Sequence, residues 1–265
     1  MSGRGIVPKV SAAFTASVAK KRWWKELFRE GQDAFTLPDV NPHLRRHWPL
    51  LSGGSAAAAS AAAAASAAGA GAEPPPPARC LVPLCGRDIS LTWIASQPGW
   101  GAVGVDFADD ALRLLGAETG GIVPLGSGQE GEAFSAFQSA RYPRLLLAHG
   151  DFMALQLEHY GGPFEAAWDR GGLTAMGGAG ERAAYAARLA SLLAPGGRLL
   201  LEMLDTNIAM EGACAAEEAR DALGSAGLAV RQLEAHDVRA DYPSFNPPGL
   251  RYLREVLLFA ERPLA

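Results

Sequence analysis

The sequence predicts a doubly wound α/β fold: a mostly parallel Rossmann-like sheet, helices on both faces, and an antiparallel strand pair at the C-terminal end. Three observations carry this reading. A short apolar run, Cys80-Leu81-Val82-Pro83-Leu84, breaks at the turn Cys85-Gly86. A second run, Ala102-Val103-Gly104-Val105, ends in Asp106, 20 residues beyond Gly86, the spacing of a nucleotide-binding βαβ unit. Strand-like and helix-like periods then alternate to the C-terminus.

Taken in order, residues 80–84 form the first strand and residues 89–95 the following helix, which stops near Pro98. Residues 102–106 are the second strand. The helix over 108–115 carries Asp109 and Asp110 in its first turn, where the helix dipole favours acids. Residues 116–138 are glycine-rich and read as an irregular surface excursion. Residues 144–149 form a strand that leaves through Gly150-Asp151-Phe152, and residues 164–170 another ending in Trp168-Asp169-Arg170. A helical period over 181–193 stops at Pro195-Gly196-Gly197, and a buried strand follows over 198–204. Residues 217–226 form a helix closed by Gly227, and residues 229–235 and 251–260 pair antiparallel.

The chain has 265 residues and a net charge of -4. With no basic stripe, it is not built for nucleic acid. No apolar run approaches the ~18 residues of a membrane span. Three unevenly spaced cysteines, Cys80, Cys85 and Cys214, make no disulfide framework and point to a reducing compartment. Residues 1–22 carry Arg4, Lys9, Lys20, Lys21 and Arg22 with no acid. They read as a disordered basic start on a cytoplasmic protein, with an organelle transit peptide as the alternative. Residues 52–78, rich in Ala, Ser and Gly and ending in four prolines, have no apolar face to bury and read as a flexible insertion. They separate an N-terminal segment, 23–51, from the main domain, 79–265.

Ligands of open α/β sheets lie over the carboxyl ends of the strands, at the switch point. That rule gathers Leu84, Cys85, Gly86, Asp106, Gly150, Asp151, Phe152, Trp168, Asp169 and Arg170. The turn Pro83-Leu84-Cys85-Gly86 is no glycine-rich dinucleotide fingerprint. A cofactor without a pyrophosphate needs less close backbone approach, so the turn favours S-adenosyl-L-methionine over NAD. Asp106 is placed to accept two hydrogen bonds from a ribose diol, or to cap the helix that begins at Ala108. Gly150-Asp151-Phe152 suits the edge and face of adenine, or a plain turn over a buried ring. Asp169 and Arg170 either work on a substrate or form a structural ion pair. Cys85 reads as a small packing residue, and His149 completes a strand. His43 and His47 stand at i, i+4, but Arg45 and Arg46 intervene and no third ligand is in register. They read as a solvated helix face, and no metal is expected. Trp24 and Phe28 share a helix face, either as an aromatic lid over the cofactor or as an amphipathic helix docked on the core.

These motifs resemble the thiopurine S-methyltransferase family, which includes thiol, halide and chalcogen methyltransferases. The resemblance is carried by residues 24–35, Val40-Asn41-Pro42-His43-Leu44, Val82-Pro83-Leu84-Cys85-Gly86, Gly104-Val105-Asp106, Trp168-Asp169-Arg170-Gly171 and Leu193-Ala194-Pro195-Gly196-Gly197-Arg198. It implies a seven-strand methyltransferase sheet that binds S-adenosyl-L-methionine. By position, Trp24, Phe28 and Phe35 resemble the family's N-terminal lid, and Leu84 the residue of the turn that meets the methionine part. Asp106 stands where the family places a ribose-binding acid, usually Glu. Gly150 and Asp151 match the adenine-contacting pair, and Arg170 the arginine beside the substrate. Three features depart from the pattern: Ser90 where an acid is more usual, no Gly-Pro-Pro-Phe segment after Asp205, and the alanine-rich insertion.

The activity so implied is S-methylation of a small-molecule thiol or other soft nucleophile, by a monomer, through direct in-line displacement with Arg170 steadying the acceptor and Asp169 or water taking the proton. Halide or thiocyanate methylation is the nearer alternative. A non-catalytic module that binds S-adenosyl-L-methionine is the alternative from another class.

Overall fold

The structure, a computed structural model, describes residues 17–31, 36–53, 76–125, 134–157, 162–208, 213–242 and 247–264, with side chains from Lys21 onward. Residues 1–16, Phe35 and residues 54–75, most of the alanine-rich insertion, lie outside the described residues.

Among those residues the chain runs through β1 (Ala78–Pro83), β2 (Trp100–Asp106), β3 (Ile122–Leu125), β4 (Phe134–Ser139), β5 (Leu145–Gly150), β6 (Phe164–Arg170), β7 (Leu193–Thr206), β8 (Ala229–Asp237) and β9 (Leu253–Glu261). The helices are α1 (Ser17–Arg29), α2 (Pro42–Leu51), α3 (Ser90–Ser96), α4 (Asp109–Glu118), α5 (Ala179–Leu192) and α6 (Ala216–Ser225). The strands form a single nine-stranded sheet in the order β3-β4-β5-β2-β1-β6-β7-β9-β8. From β5 to β7 the neighbours are parallel, while both ends of the sheet are antiparallel.

The sheet corrects the expected strand count. Seven strands were expected and nine are present, because residues 122–125 and 134–139 pair instead of forming an irregular excursion. The added pair covers the backbone edge of β5, which would otherwise offer unpaired donors and acceptors to solvent. Its period is short and glycine-flanked, which hid it in the sequence, and Phe134 anchors it to the core.

Alternation along the strands divides the apolar side chains into two layers. Leu81, Leu199 and Leu201 face one side, with Tyr185 and Leu189 of α5 and Leu223 of α6. Val82, Trp168 and Leu200 face the other, with Leu44 and Leu51 of α2, Leu91 and Ile94 of α3 and Leu112 of α4. The N-terminal segment is therefore built into the core through α2. Its Asn41 caps the helix by accepting the His43 and Leu44 amides at 2.8 and 3.2 Å, and Pro42 supplies a first turn that needs no donor. Trp48 then packs edge-on against Trp93 and Trp100, with ring centroids 5.3 and 5.1 Å apart.

Candidate active site at the carboxyl ends of the strands

Backbone strain marks the first corner of the site. Leu84 has φ +46° and Gly86 φ +49°, and a left-handed leucine costs on the order of 1–3 kcal/mol unless its surroundings impose it. Here they do. The Cys85 amide donates to the Val105 carbonyl at 3.0 Å, and the Asp88 amide to the Cys85 carbonyl at 2.9 Å. The Gly86 amide donates to Asp106 Oδ2 at 2.7 Å. The turn therefore presents Leu84 and Gly86 at the mouth between β1 and β2.

Asp106 closes that mouth from the end of β2. Its other oxygen accepts the Ala108 amide at 2.8 Å, a turn that leads into α4 without capping it, since the N-cap Ala108 has no side-chain cap. An ionised carboxylate offers about four lone-pair sites, and two amides leave room for two more donors. Burial pushes its pKa up to about 6, against the pull of the Ala108 and Gly86 amides.

Helix α1 lies over this corner. The Phe28 ring is buried with Ala108 and Ala111, and its Cζ is 2.9 Å from where a Cβ on Gly86 would stand. Only a bare glycine backbone admits the ring so closely. Charge holds the rest of α1 down: Lys21 pairs with Asp151 at 2.5 Å, Lys25 with Asp109 at 3.9 Å and Arg29 with Asp110 at 3.6 Å. Trp24 is half-buried and edge-on to Trp23, with centroids 4.8 Å apart. A cleft of about 380 Å³ opens between α1 and Phe107.

The third corner is the exit of β5. Asp106 and His149 are register partners, which sets Gly150 and Asp151 beside the β2 end. Asp151 accepts the Met153 amide at 3.1 Å as well as Lys21. Phe152 is fully buried against Tyr185, with centroids 5.0 Å apart. Trp168 is also fully buried and donates from Nε1 to Asp88 Oδ2 at 3.0 Å. Both rings lie in the core layers, beneath the mouth lined by Leu84, Gly86, Asp106, Gly150 and Asp151. Asp88, two residues before Ser90, also accepts the Ser90 amide at 2.9 Å.

Across the switch between β1 and β6, Asp169 and Arg170 take different surroundings. Asp169 is fully buried and accepts the Gly172 amide at 2.7 Å, the Leu173 amide at 3.3 Å and the Tyr185 hydroxyl at 3.0 Å. Burial pushes it to about 6 against those donors. Arg170 turns to its ladder neighbour instead, donating from Nε to Glu202 Oε1 at 3.1 Å, with 28% of its side chain exposed. Glu202 also accepts the Asn41 amide group at 3.1 and 2.9 Å. Burial pushes the Glu202 pKa up, and Arg170 pulls it back.

Sequence reasoning missed Glu202, Asn41 and Lys21. A signal for Glu202 existed: β6 and β7 are parallel neighbours, so an arginine at the end of one invites an acid at the same level of the next. The reading of His43 and His47 as a solvated face needs correction. Only 12% of the His43 side chain and 18% of the His47 side chain are exposed, because α2 docks this face onto glutamates of β8 and β9. All three cysteines are buried, and burial pushes the Cys80 and Cys85 thiols upward and Cys214 to about 11.

The corners fit S-adenosyl-L-methionine. Asp106 retains acceptor sites for further donors, and Asp151 offers another at the β5 exit. Comparison with known proteins agrees. The profile of the family described as thiopurine S-methyltransferase (TPMT) matches residues 68–263. A thiopurine S-methyltransferase of Azotobacter vinelandii is 32% identical over 244 residues, 91% of this chain and 98% of that protein. One from Pseudomonas fluorescens is 33% identical over 187 residues, 69% of this chain and 71% of that protein. Among solved structures, an S-adenosylmethionine-dependent methyltransferase from Methanosarcina mazei superposes with a TM-score of 0.52 at 13% identity, covering 72% of this chain and 95% of that one. The [4+2]-cyclase SpnF superposes with a TM-score of 0.50 at 16% identity, covering 71% and 76%, so at this distance the fold alone is shared. The profile match and the Azotobacter relative decide the assignment: the chain belongs to the thiopurine S-methyltransferase family and is an S-adenosyl-L-methionine-dependent methyltransferase.

Proposed function

We propose that the protein methylates the sulfur of a small thiol. The observation that carries the reading is Arg170, a partly exposed guanidinium at the switch point, held by Glu202. A permanent cation there favours an anionic acceptor and is too weak an acid to act as a base. Leu84, Gly86, Asp106 and Asp151 would hold S-adenosyl-L-methionine, which would supply an electrophilic sulfonium methyl group for in-line transfer to a thiolate, the sulfonium C–S bond breaking as S-adenosylhomocysteine leaves.

The chain's own residues align and shield. Asp106 and Asp151 orient from the β2 and β5 ends. Phe28 and Trp24 exclude water from above, and Arg170 holds the acceptor's negative charge. Alignment of this kind supplies up to ~7–11 kcal/mol in well-oriented reactions. Because the thiolate is the nucleophile, the proton leaves before transfer. Water takes it in this proposal, since Asp169 is fully buried and already accepts three hydrogen bonds. Asp169 then acts beneath the site, positioning the turn that follows Arg170.

Acceptor profiling tests the reading. Purified protein and S-adenosyl-L-methionine are incubated with aromatic thiols, thiopurines, iodide and thiocyanate, and methylated products are measured. Turnover highest on thiols is expected. Turnover confined to iodide or thiocyanate would replace the acceptor, and saturable cofactor binding without turnover on any of them would favour a binding module.

A further inference from the structure

Helix α2 and the C-terminal strands enclose a cluster of which only Glu202 touches the methyl-transfer site, through Arg170. His43, Glu202 and Glu255 each offer one ligand atom, and these atoms lie within 4.8 Å of one another. They come from α2, β7 and β9. His43 Nε2 faces Glu255 Oε1 at 2.8 Å. Its other ring nitrogen, Nδ1, is buried without a hydrogen-bond partner among the described residues and faces Glu234 Oε2 of β8 at 3.5 Å. Glu234 is itself fixed by Arg46 at 3.1 Å, His47 at 2.6 Å and His236 at 2.8 Å.

We propose that His43, Glu202 and Glu255 form a binding site for one divalent transition-metal ion of the zinc type, with Glu234 orienting the His43 ring. The donor set is an imidazole and two carboxylates, the mixture that zinc accepts when a further position is left to water. Two carboxylates converging on one imidazole supply negative charge that a dication neutralises. Bonds of about 2.0–2.2 Å set ligand atoms roughly 3.3–3.6 Å apart in a tetrahedral shell, so the observed spread closes by small rotamer adjustments.

The buried Nδ1 atom is the second, independent sign. A metal-bound histidine characteristically donates its remaining ring N–H to a carboxylate, which fixes tautomer and orientation. Glu234 stands on that side of the ring, already anchored by three cations or potential cations. Glu202 is prepared as well: Asn41 and Arg170 hold its carboxylate in place, and one carboxylate carries enough lone pairs for the ion besides these partners. The ion would pin α2 to β7 and β9, one carboxylate away from Arg170.

The test uses untagged full-length protein stripped with a chelator and titrated with zinc chloride against a chromogenic competitor. One equivalent bound per chain, with a rise in Tm on addition, is expected. The Co²⁺ form should lack the charge-transfer bands of thiolate ligation. His43→Gln and Glu255→Gln should abolish stoichiometric uptake, either one being sufficient if the other fails to fold by circular dichroism. Glu234→Gln should weaken it about 10–100-fold, the usual effect of losing an outer partner. Glu261→Gln, which alters a half-exposed carboxylate at the far end of β9, should leave uptake intact. No stoichiometric uptake by the wild type would overturn the proposal, leaving His43 as a charged bridge among acids. Uptake that survives His43→Gln, or that is lost in Glu261→Gln, would also overturn it.

Discussion

The carboxylate of Asp106 binds the amide of Gly86 at 2.7 Å, joining the turn after β1 to the end of β2. Through its other oxygen it also holds the amide of Ala108, the residue before α4. Asp106→Ala should leave both amides buried without acceptors, at a cost of roughly 1–3 kcal/mol each. The same variant should lose most of its affinity for S-adenosyl-L-methionine. Urea unfolding and calorimetric titration measure the two effects separately. A folded variant with wild-type cofactor affinity would remove Asp106 from the site.

The pKa of about 6 at Asp106 makes both effects pH-dependent. It lies above the value near 3.9 of an unfolded chain, so the folded protein holds this proton more tightly. The contribution of Asp106 to stability is therefore greatest below about pH 4 and declines as pH rises through 6. Cofactor affinity runs the opposite way, because ribose hydroxyls donate to the ionised form: it should climb up to about pH 6 and then level. Asp106→Asn should bind weakly with a flat profile. A wild-type affinity constant from pH 5 to 8 would refute this coupling.

Phe28 rests on Gly86, Ala108 and Ala111 and covers the residues whose amides bind Asp106. Cofactor entry should therefore require α1 to lift. Trypsin cleavage at the lysines and arginines of α1 reads this motion, and saturating S-adenosyl-L-methionine should slow it. Phe28→Ala removes a buried aromatic ring, a change that costs about 3–5 kcal/mol in a core. Because α1 packs chiefly against α4, the loss should emerge as faster cleavage of α1 more than as a lower global Tm. Equal cleavage with and without cofactor would separate α1 from the site.

Arg170 and Glu202 should separate in kinetics. Arg170→Ala should lower kcat by about 10²-fold, the scale of losing one electrostatic contact to developing charge, while cofactor affinity stays near wild type. Glu202→Gln should lower kcat less and be partly rescued by thiols that are already ionised. Equal loss of turnover and cofactor affinity in Arg170→Ala would end its acceptor role.

Much of this was legible in the linear chain. Pro83-Leu84-Cys85-Gly86 and Asp106 are read from local pattern, because a strand end, a glycine turn and a terminal acid are short-range features. The parallel core followed from alternating periods, and the C-terminal antiparallel pair from two short strand-like runs. The pair β3 and β4 was not legible, since a strand of four residues flanked by glycines carries little period. The partners of the site residues were not legible either. Lys21 reaches Asp151 across 130 residues and Asn41 reaches Glu202 across 161, distances over which no periodicity speaks.

By itself the sequence determined the fold class, the methyl donor and the row of residues at the strand ends, all properties of local pattern and family motif. Tertiary structure decided what each side chain does there. It turned Phe152, Trp168 and Asp169 into the interior, left Arg170 half open beside Glu202, and carried a histidine of α2 among glutamates of three strands. The physical reason is that burial and partnership are set by packing between distant segments, which pays no regard to their order along the chain.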